Sequence, residues 1–365
     1  MNLSLKQINT LPVPTWNRLE MNHAELAEAV PEIGPYAGDL SLPDAQDGVS
    51  VTASGSEAAS GPETGMGDEA SGFVLEHHNC GATVRVAPGV HAEKPVVFSY
   101  RIDGNSPCVV DANAIVAEEN SEVTVVLSYR SDGETEGFHG GMTRIFAKKG
   151  AVVHLVEVQL LNGKCTHFDD VGALAGEGGT VDVLQVELGG KTAYAGCRTR
   201  LEGGKSKLNL EALYFGDGSR TVDINYVADH IGPKSQSEIR VNGALLDESR
   251  KTFRGTIDFK RGAKRAVGQE SENNLLFSPK TRSRTAPLIL CAEEDVDGRH
   301  AASTGRIDEA KMFYLMSRGL SELEAKKLMI EALFAPAIAR LTEPELSDAV
   351  REFVKERLNA IEPVS

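Results

Sequence analysis

The sequence predicts a mainly β protein: a parallel β-helix with a C-terminal α-helical domain and a short helical N-terminal segment. Three observations carry this reading. From Phe73 onward, short runs of alternating apolar residues are broken by turns rich in glycine and charge. One turn phrase recurs at a near-constant interval. After His300 the texture changes to longer apolar periods with helix-capping signals.

Residues 1–37 show helix-like apolar spacing at Leu19, Leu26 and Val30, ended by Gly34-Pro35. They are expected to form a helical N-terminal segment. From Gly38 to Gly72 there are seven acidic residues, no Lys or Arg, and many Gly, Ser, Ala and Pro. So little apolar surface does not offset the entropy of ordering, so residues 38–72 are expected to be a flexible acidic linker.

Residues 73–300 are assigned to the β-helix. Ala117-Glu118-Glu119-Asn120-Ser121-Glu122-Val123 is echoed by Ala147-Lys148-Lys149-Gly150-Ala151-Val152-Val153 and by Ala175-Gly176-Glu177-Gly178-Gly179-Thr180-Val181. The turn residues Gly89, Asn120, Gly150, Gly178, Gly204, Gly232 and Gly262 are separated by 31, 30, 28, 26, 28 and 30 positions. Strand alternation follows three of these turns, as in Val123-x-Val125-x-Leu127. A period in this range means stacked units, each burying its apolar face against its neighbours. The same strands could build a sandwich; the recurring Gly-Val context favours the stack.

Residues 301–365 are assigned to helices. Asp308 can cap a helix through Phe313-Tyr314-Leu315 that Gly319 stops. Ser321-Glu322-Leu323-Glu324 is a capping box opening a helix with Leu323, Leu328, Ile330 and Leu333. Thr342-Glu343-Pro344 opens a third, carrying Leu346, Val350, Phe353, Val354 and Leu358. This tail is expected to cap the open end of the stack.

Composition narrows the function. The 365 residues include 38 basic and 53 acidic side chains, a net charge of −15, which disfavours binding along nucleic acid. No apolar run approaches the ~20 residues of a membrane span, and the first residues lack the layout of a signal peptide. The cytoplasm is the expected compartment. Cys80, Cys108, Cys165, Cys197 and Cys291 form no CxxC pair, and most of them read as reduced thiols packed as small apolar groups.

No phosphate-binding glycine loop, HExxH, GxSxG or kinase motif occurs. Gly140-Gly141 and Gly203-Gly204 read as turn glycines, and His139 as a loop residue beside the first pair. His77-His78 near Cys80 read as polar surface rather than metal ligands. Glu293-Glu294-Asp295-Val296-Asp297-Gly298-Arg299-His300, just after Cys291, has the density of carboxylate and imidazole that could hold a metal or move a proton. On spacing alone it reads rather as a solvated acidic turn, since acidic residues are usually exposed.

A longer pattern adds to this. His230-Ile231-Gly232-Pro233-Lys234-Ser235-Gln236-Ser237, Gly243-Ala244-Leu245, Phe253-Arg254-Gly255-Thr256-Ile257 and Asn273-Asn274-Leu275-Leu276-Phe277-Ser278 follow in order. Then come His300-Ala301-Ala302-Ser303-Thr304-Gly305-Arg306-Ile307-Asp308 and Phe313-Tyr314-Leu315-Met316-Ser317-Arg318-Gly319-Leu320. From about Ala228 to Phe334 the chain resembles the SufB/SufD family of iron–sulfur cluster assembly proteins. Pro14-Thr15-Trp16-Asn17-Arg18-Leu19 is a further point of resemblance.

The resemblance implies a right-handed parallel β-helix that pairs with a SufB-like or identical subunit. It also implies a helical domain that docks an ABC-type ATPase, the SufC-like partner, with Phe313, Tyr314 and Arg318 as the partner-binding residues. A transient iron–sulfur cluster would form at the paired interface, and His300 falls on the motif of the family's cluster-site histidine. The motif here reads Gly298-Arg299-His300-Ala301 where the family usually has Cys-Ser-His-Gly. No cysteine lies near Glu272-Asn273-Asn274-Leu275, where a SufB would carry its thiol. These departures imply a SufD-like, non-catalytic component that holds no cofactor tightly alone. The rival readings are a carbohydrate-active β-helix enzyme with acidic residues on the solenoid face, and a purely structural solenoid.

Overall fold

The computed structural model describes residues 1–38, 46–53, 56–306 and 309–359. The stacked-strand expectation holds. One sheet contains β4 (Ala82–Val86), β6 (Cys108–Ala117), β8 (Phe138–Ala147), β10 (Thr166–Ala175) and β12 (Thr192–Leu201), continuing through β14 (Thr221–His230), β16 (Arg250–Phe259) and β18 (Arg282–Cys291). The other contains β5 (Val96–Ile102), β7 (Glu122–Ser131), β9 (Val152–Leu160) and β11 (Thr180–Glu187), continuing through β13 (Lys207–Gly216), β15 (Gln236–Leu245), β17 (Ala266–Leu276) and β19 (Val296–Arg306). Each strand pairs in parallel with the strand two places on, so the chain winds from one sheet to the other as a solenoid of about 8 turns.

Alternation decides what faces the lumen. Val123, Val153, Val181 and Leu208 occupy one inward register, and Val125, Leu155, Val183, Leu210 and Ile239 the next. Such ladders give these coils a shared apolar lining at those positions, at roughly 1.5–3 kcal/mol for each large side chain buried.

At one corner a column of left-handed residues runs through Gly89, Asn120, Gly150, Gly178, Lys205, Lys234 and Arg265. In each the backbone N–H donates to the carbonyl of the residue just before the next member, as in Gly150 to Glu177 at 2.8 Å and Lys205 to Pro233 at 2.9 Å. The sequence markers coincide with this column as far as Gly178. The markers Gly204, Gly232 and Gly262 lie one, two and three residues before the true corners, where lysine and arginine adopt positive φ. The inter-coil ladder holds these residues in a conformation that glycine alone takes freely.

The flanks require three corrections. Residues 1–37 are not helical apart from one 3₁₀ turn. They form an antiparallel hairpin of β1 (Asn2–Ile8) and β2 (Ala24–Ala29). Residues 38–72 are not a flexible linker in their described parts. β3 (Val49–Ala53) pairs antiparallel with β4, Thr64 and Met66 are buried, and α2 (Asp68–His77) begins inside the stretch. Residues 39–45 and 54–55 lie outside the described residues. The hairpin and α2 cover the outward face of the first sheet, over Phe138, Met142, Phe168 and Tyr194.

The third correction concerns the tail. α4 (Glu322–Ile338) and α5 (Pro344–Asn359) lie against the side of the second sheet rather than over the solenoid's end. Ile330, Phe334, Val350 and Val354 pack on Val156, Val158, Leu184, Val186, Leu213 and Phe215. Both faces of that sheet therefore want apolar residues, as in other parallel sheets. Arg340, just beyond α4, ties it down through Asp182 and Glu211, both at 2.7 Å. The capping box at Ser321 and the stop at Gly319 are as expected, and α3 (Glu309–Ser317) precedes them; the Asp308 cap lies outside the described residues. β18 and β19 are left as the edge strands at the solenoid's end. The β-helix runs past His300 to Arg306.

Candidate functional site

His300 lies within the last strand, β19, rather than after it. Parallel pairing with β17 sets Gln269 opposite Arg299, Glu270 opposite His300 and Glu272 opposite Ala302. The imidazole is 24% exposed, and its Nδ1 stands 3.1 Å from Oε1 of Glu270, which is almost wholly buried. Glu270 in turn occupies the space over Gly255, where a Cβ would come within 2.1 Å of its Oε2.

The electrostatics are mutual. The Glu270 carboxylate beside it holds the His300 pKa above the ordinary histidine value, against the opposing effect of partial burial. Burial pushes the Glu270 carboxyl up, only partly offset by His300. Nδ1 faces the carboxylate, so Nε2 is the nitrogen left to act as a ligand. Carboxylate–histidine pairs orient metal-binding imidazoles in this way.

Behind His300 the lumen is polar. Lys251 forms a buried ion pair with Glu272 and donates to Thr285 Oγ1 at 3.1 Å. Thr285 donates to Glu272 at 2.6 Å, and Asn274 Nδ2 to the other Glu272 oxygen at 2.6 Å. At this level, where the resemblance places a SufB thiol, the chain carries a compensated charge pair instead.

The acidic run before His300 divides between a solvated turn, residues 293–295, and the start of β19, where Asp297 and Arg299 lie. Glu293 accepts from the Gly262 N–H at 3.0 Å, and Asp297 pairs with Arg299 at 2.6 Å. Cys291 is exposed, whereas Cys80, Cys108, Cys165 and Cys197 are buried free thiols, as expected of small apolar groups. Among the described residues His77 and His78 join no metal-ligand group. On α3, Phe313 and Tyr314 are 75% and 56% exposed, and the Arg318 guanidinium stacks 5.2 Å from the Tyr314 ring. These aromatics do not pack as core.

The SUF-system SufBD core domain model, described as iron–sulfur cluster assembly, matches residues 100–333. The chain belongs to the SufBD family. It is 28% identical over 265 residues to the iron–sulfur cluster assembly protein SufD of Bacillus subtilis, covering 72% of this chain and 61% of that protein. It is 27% identical over 240 residues to SufD of Escherichia coli, covering 66% of this chain and 57% of that protein. With SufB of Bacillus subtilis it shares 24% identity over 259 residues, covering 70% of this chain and 55% of that protein. The chain thus spans less than two thirds of the length of each of these three SufBD relatives.

Sequence reasoning missed a second polar centre in this SufBD chain and misread one of its members. His139 is not a loop residue. It lies on β8 and is fully buried in the lumen, with Gly140 and Gly141 as strand rather than turn positions. Phe168 and Asp169 of the next coil fill the space those glycines leave. The signal was present: His139 and His167 are 28 residues apart, one coil, and stand in register.

Proposed function

We propose that this chain is a non-enzymatic subunit of a Suf-type iron–sulfur assembly scaffold, acting in the cytoplasm. The observation that carries the proposal is the SufBD core match together with His300, part-exposed on an edge strand and oriented by a buried carboxylate. The unpaired edges of β18 and β19 can extend their sheets into another subunit's strands, either a SufB-like chain or a second copy. In that pair His300 supplies one ligand from this side, and thiolates from the partner supply the rest of a transient cluster. The exposed α3 surface of Phe313, Tyr314 and Arg318 docks an ABC-type ATPase, aromatic and arginine side chains being favoured as anchors. Family membership favours this reading over the sugar-cleaving one. Among the described residues no helix is long and apolar enough to cross a membrane.

The test is reconstitution with a SufB-like partner, a SufC-like ATPase, iron and a sulfide source. The expected result is a stable complex whose cluster absorbance falls severalfold with His300→Ala while the complex stays assembled. A complex that builds clusters equally well with Ala at 300 removes His300 from the site. Failure of this chain to associate with a SufB-like partner or with itself overturns the scaffold reading.

A further inference from the structure

In the middle of the solenoid the lumen holds four carboxylates, Asp111, Glu157, Asp169 and Glu187, with His139 and His167, all almost completely inaccessible. Among the described residues no buried cation balances them. The buried Lys and Arg side chains among the described residues are Arg144, Arg220, Lys251 and Arg254, and each is engaged elsewhere. Arg144 donates to the Ala58 carbonyl, Arg220 to the Leu188 carbonyl, Lys251 pairs with Glu272 and Arg254 with Asp223. Buried carboxylates cost several kcal/mol each unless they are hydrogen-bonded, paired, neutralised or bound to a metal. Asp111 and Glu157 accept from Asn113 and Gln185, whereas neither Asp169 oxygen has a partner.

The hydrogen-bond directions show where the missing positive charge belongs. His139 Nε2 is 2.6 Å from Asp111 Oδ1, so Nε2–H donates to that carboxylate. His139 Nδ1 is then a lone pair, and it accepts from His167 Nδ1–H at 2.7 Å. This leaves His167 Nε2 as a lone pair beside two carboxylates, 3.2 Å from Glu187 Oε2, which also accepts from Gln159 Nε2 at 3.4 Å, and 3.7 Å from Asp169 Oδ2. His167 Nε2, both Asp169 oxygens and Glu187 Oε1 have no hydrogen-bond partner. Three acceptor groups converge with no donor among them. The two distances from His167 Nε2 bracket the ~3.3 Å expected of two ligand atoms each about 2.0–2.1 Å from one tetrahedral ion. Gly141 keeps this space open, since a Cβ there would lie 2.3 Å from Asp169 Oδ1 and 3.0 Å from the His139 ring.

We infer that the lumen holds a divalent first-row transition-metal ion, ligated by His167 Nε2, Asp169 and Glu187. His139 is a positioning residue. It fixes the His167 tautomer and is itself held by Asp111, the outer-shell arrangement that metal-binding imidazoles use. Mixed imidazole and carboxylate ligands suit zinc, iron or manganese rather than calcium or magnesium. Because the ligands are sealed inside the coils, the ion enters as the chain folds, and binding contributes to folding stability. The site is separate from His300 and does not rest on the assembly reading.

The test uses the full chain, unfolded in guanidinium with chelator, freed of both, and refolded with or without one equivalent of Zn²⁺ or, anaerobically, Fe²⁺. The expected result is about one ion per chain retained through gel filtration by elemental analysis, and a higher Tm for the loaded form. Asp169→Asn and His167→Gln should each cut retention at least tenfold, whereas Cys291→Ser leaves it unchanged. X-ray absorption of the zinc-loaded parent should show only nitrogen and oxygen ligands, a reading that survives any misfolding of the variants. Three outcomes overturn the site: the refolded parent retains less than a tenth of an equivalent, folded variants retain metal like the parent, or a sulfur shell appears near ~2.3 Å.

Discussion

Nδ1 of His300 lies 3.1 Å from Oε1 of Glu270, the residue it faces across the β17–β19 ladder. One member of the pair is part-exposed and the other buried, so the carboxylate presents the ring outward and raises its proton affinity. NMR titration of the full chain should place the His300 pKa above the unperturbed ~6.5. Glu270→Gln should move it back down. The sign for stability follows for the histidine: while Glu270 stays ionised, the contribution of His300 is present below the unfolded-state histidine value and is lost as pH rises through the higher folded one. Glu272, the other carboxylate acting on His300, acts in the same direction and remains in the variant. An unchanged His300 titration in Glu270→Gln would show that the contact does not set the ring's protonation.

Phe313 and Tyr314 expose most of their surface on α3, so their removal disturbs little packing. Replacing both with Ala should leave Tm within about 1–2 °C while weakening the complex with a SufC-like ATPase at least tenfold, the loss of one good anchor. Isothermal titration with the purified ATPase measures it. Equal affinity would move the docking surface elsewhere.

The corner column offers a matched pair. Gly178 has φ +63° with open space where a Cβ would go, so Gly178→Ala tests the backbone conformation alone and should cost about 1 kcal/mol. Lys205, one coil on, has φ +61°, and Lys205→Gly should gain a similar or smaller amount because the unfolded chain also becomes more flexible. Denaturant titration resolves both, and a gain from Gly178→Ala would contradict the strain argument.

The same column shows how far the fold could be read in the sequence. The repeat was visible because Gly89, Gly150 and Gly178 mark corners in a conformation that favours glycine. Its phase slipped where Lys205, Lys234 and Arg265 take over, since nothing in a lysine announces positive φ. The N-terminal hairpin was hidden by propensity. Ala24-Glu25-Leu26-Ala27-Glu28-Ala29 is built from good helix formers, yet it is a strand, with Leu26 buried and the Glu25 carbonyl bonded to Tyr194 at 2.9 Å. His300 was found through its motif, but Glu270, thirty residues earlier, joins it only through strand register. The lumen centre was missed for a related reason. Its polar residues occupy inward positions that alternation alone assigns to apolar side chains, and only the coil period brings His139 onto His167.

Arg254 locks the N-terminal segment to the solenoid. Its guanidinium is 2% exposed and donates to Asp223 Oδ1 at 2.6 Å, to the Met21 carbonyl at 2.6 Å and to the His23 carbonyl at 2.9 Å. Asp223 also accepts from Asn9 Nδ2 at 2.7 Å, so one buried ion pair holds two separate points of the first 23 residues. Arg254→Ala removes the cation and leaves the Asp223 carboxylate with Asn9 alone, at a cost of about 3–5 kcal/mol. Asp223→Asn in the same chain relieves the uncompensated charge, so the double variant should be more stable than Arg254→Ala. A double-mutant cycle then separates the pair from the carbonyl contacts. Limited proteolysis should cut between Leu11 and Met21 faster in Arg254→Ala, while the sheets beyond β4 stay protected. If the cycle shows no coupling and cleavage is unchanged, the segment is held by the apolar contacts of Leu3, Leu5 and Ile8 instead.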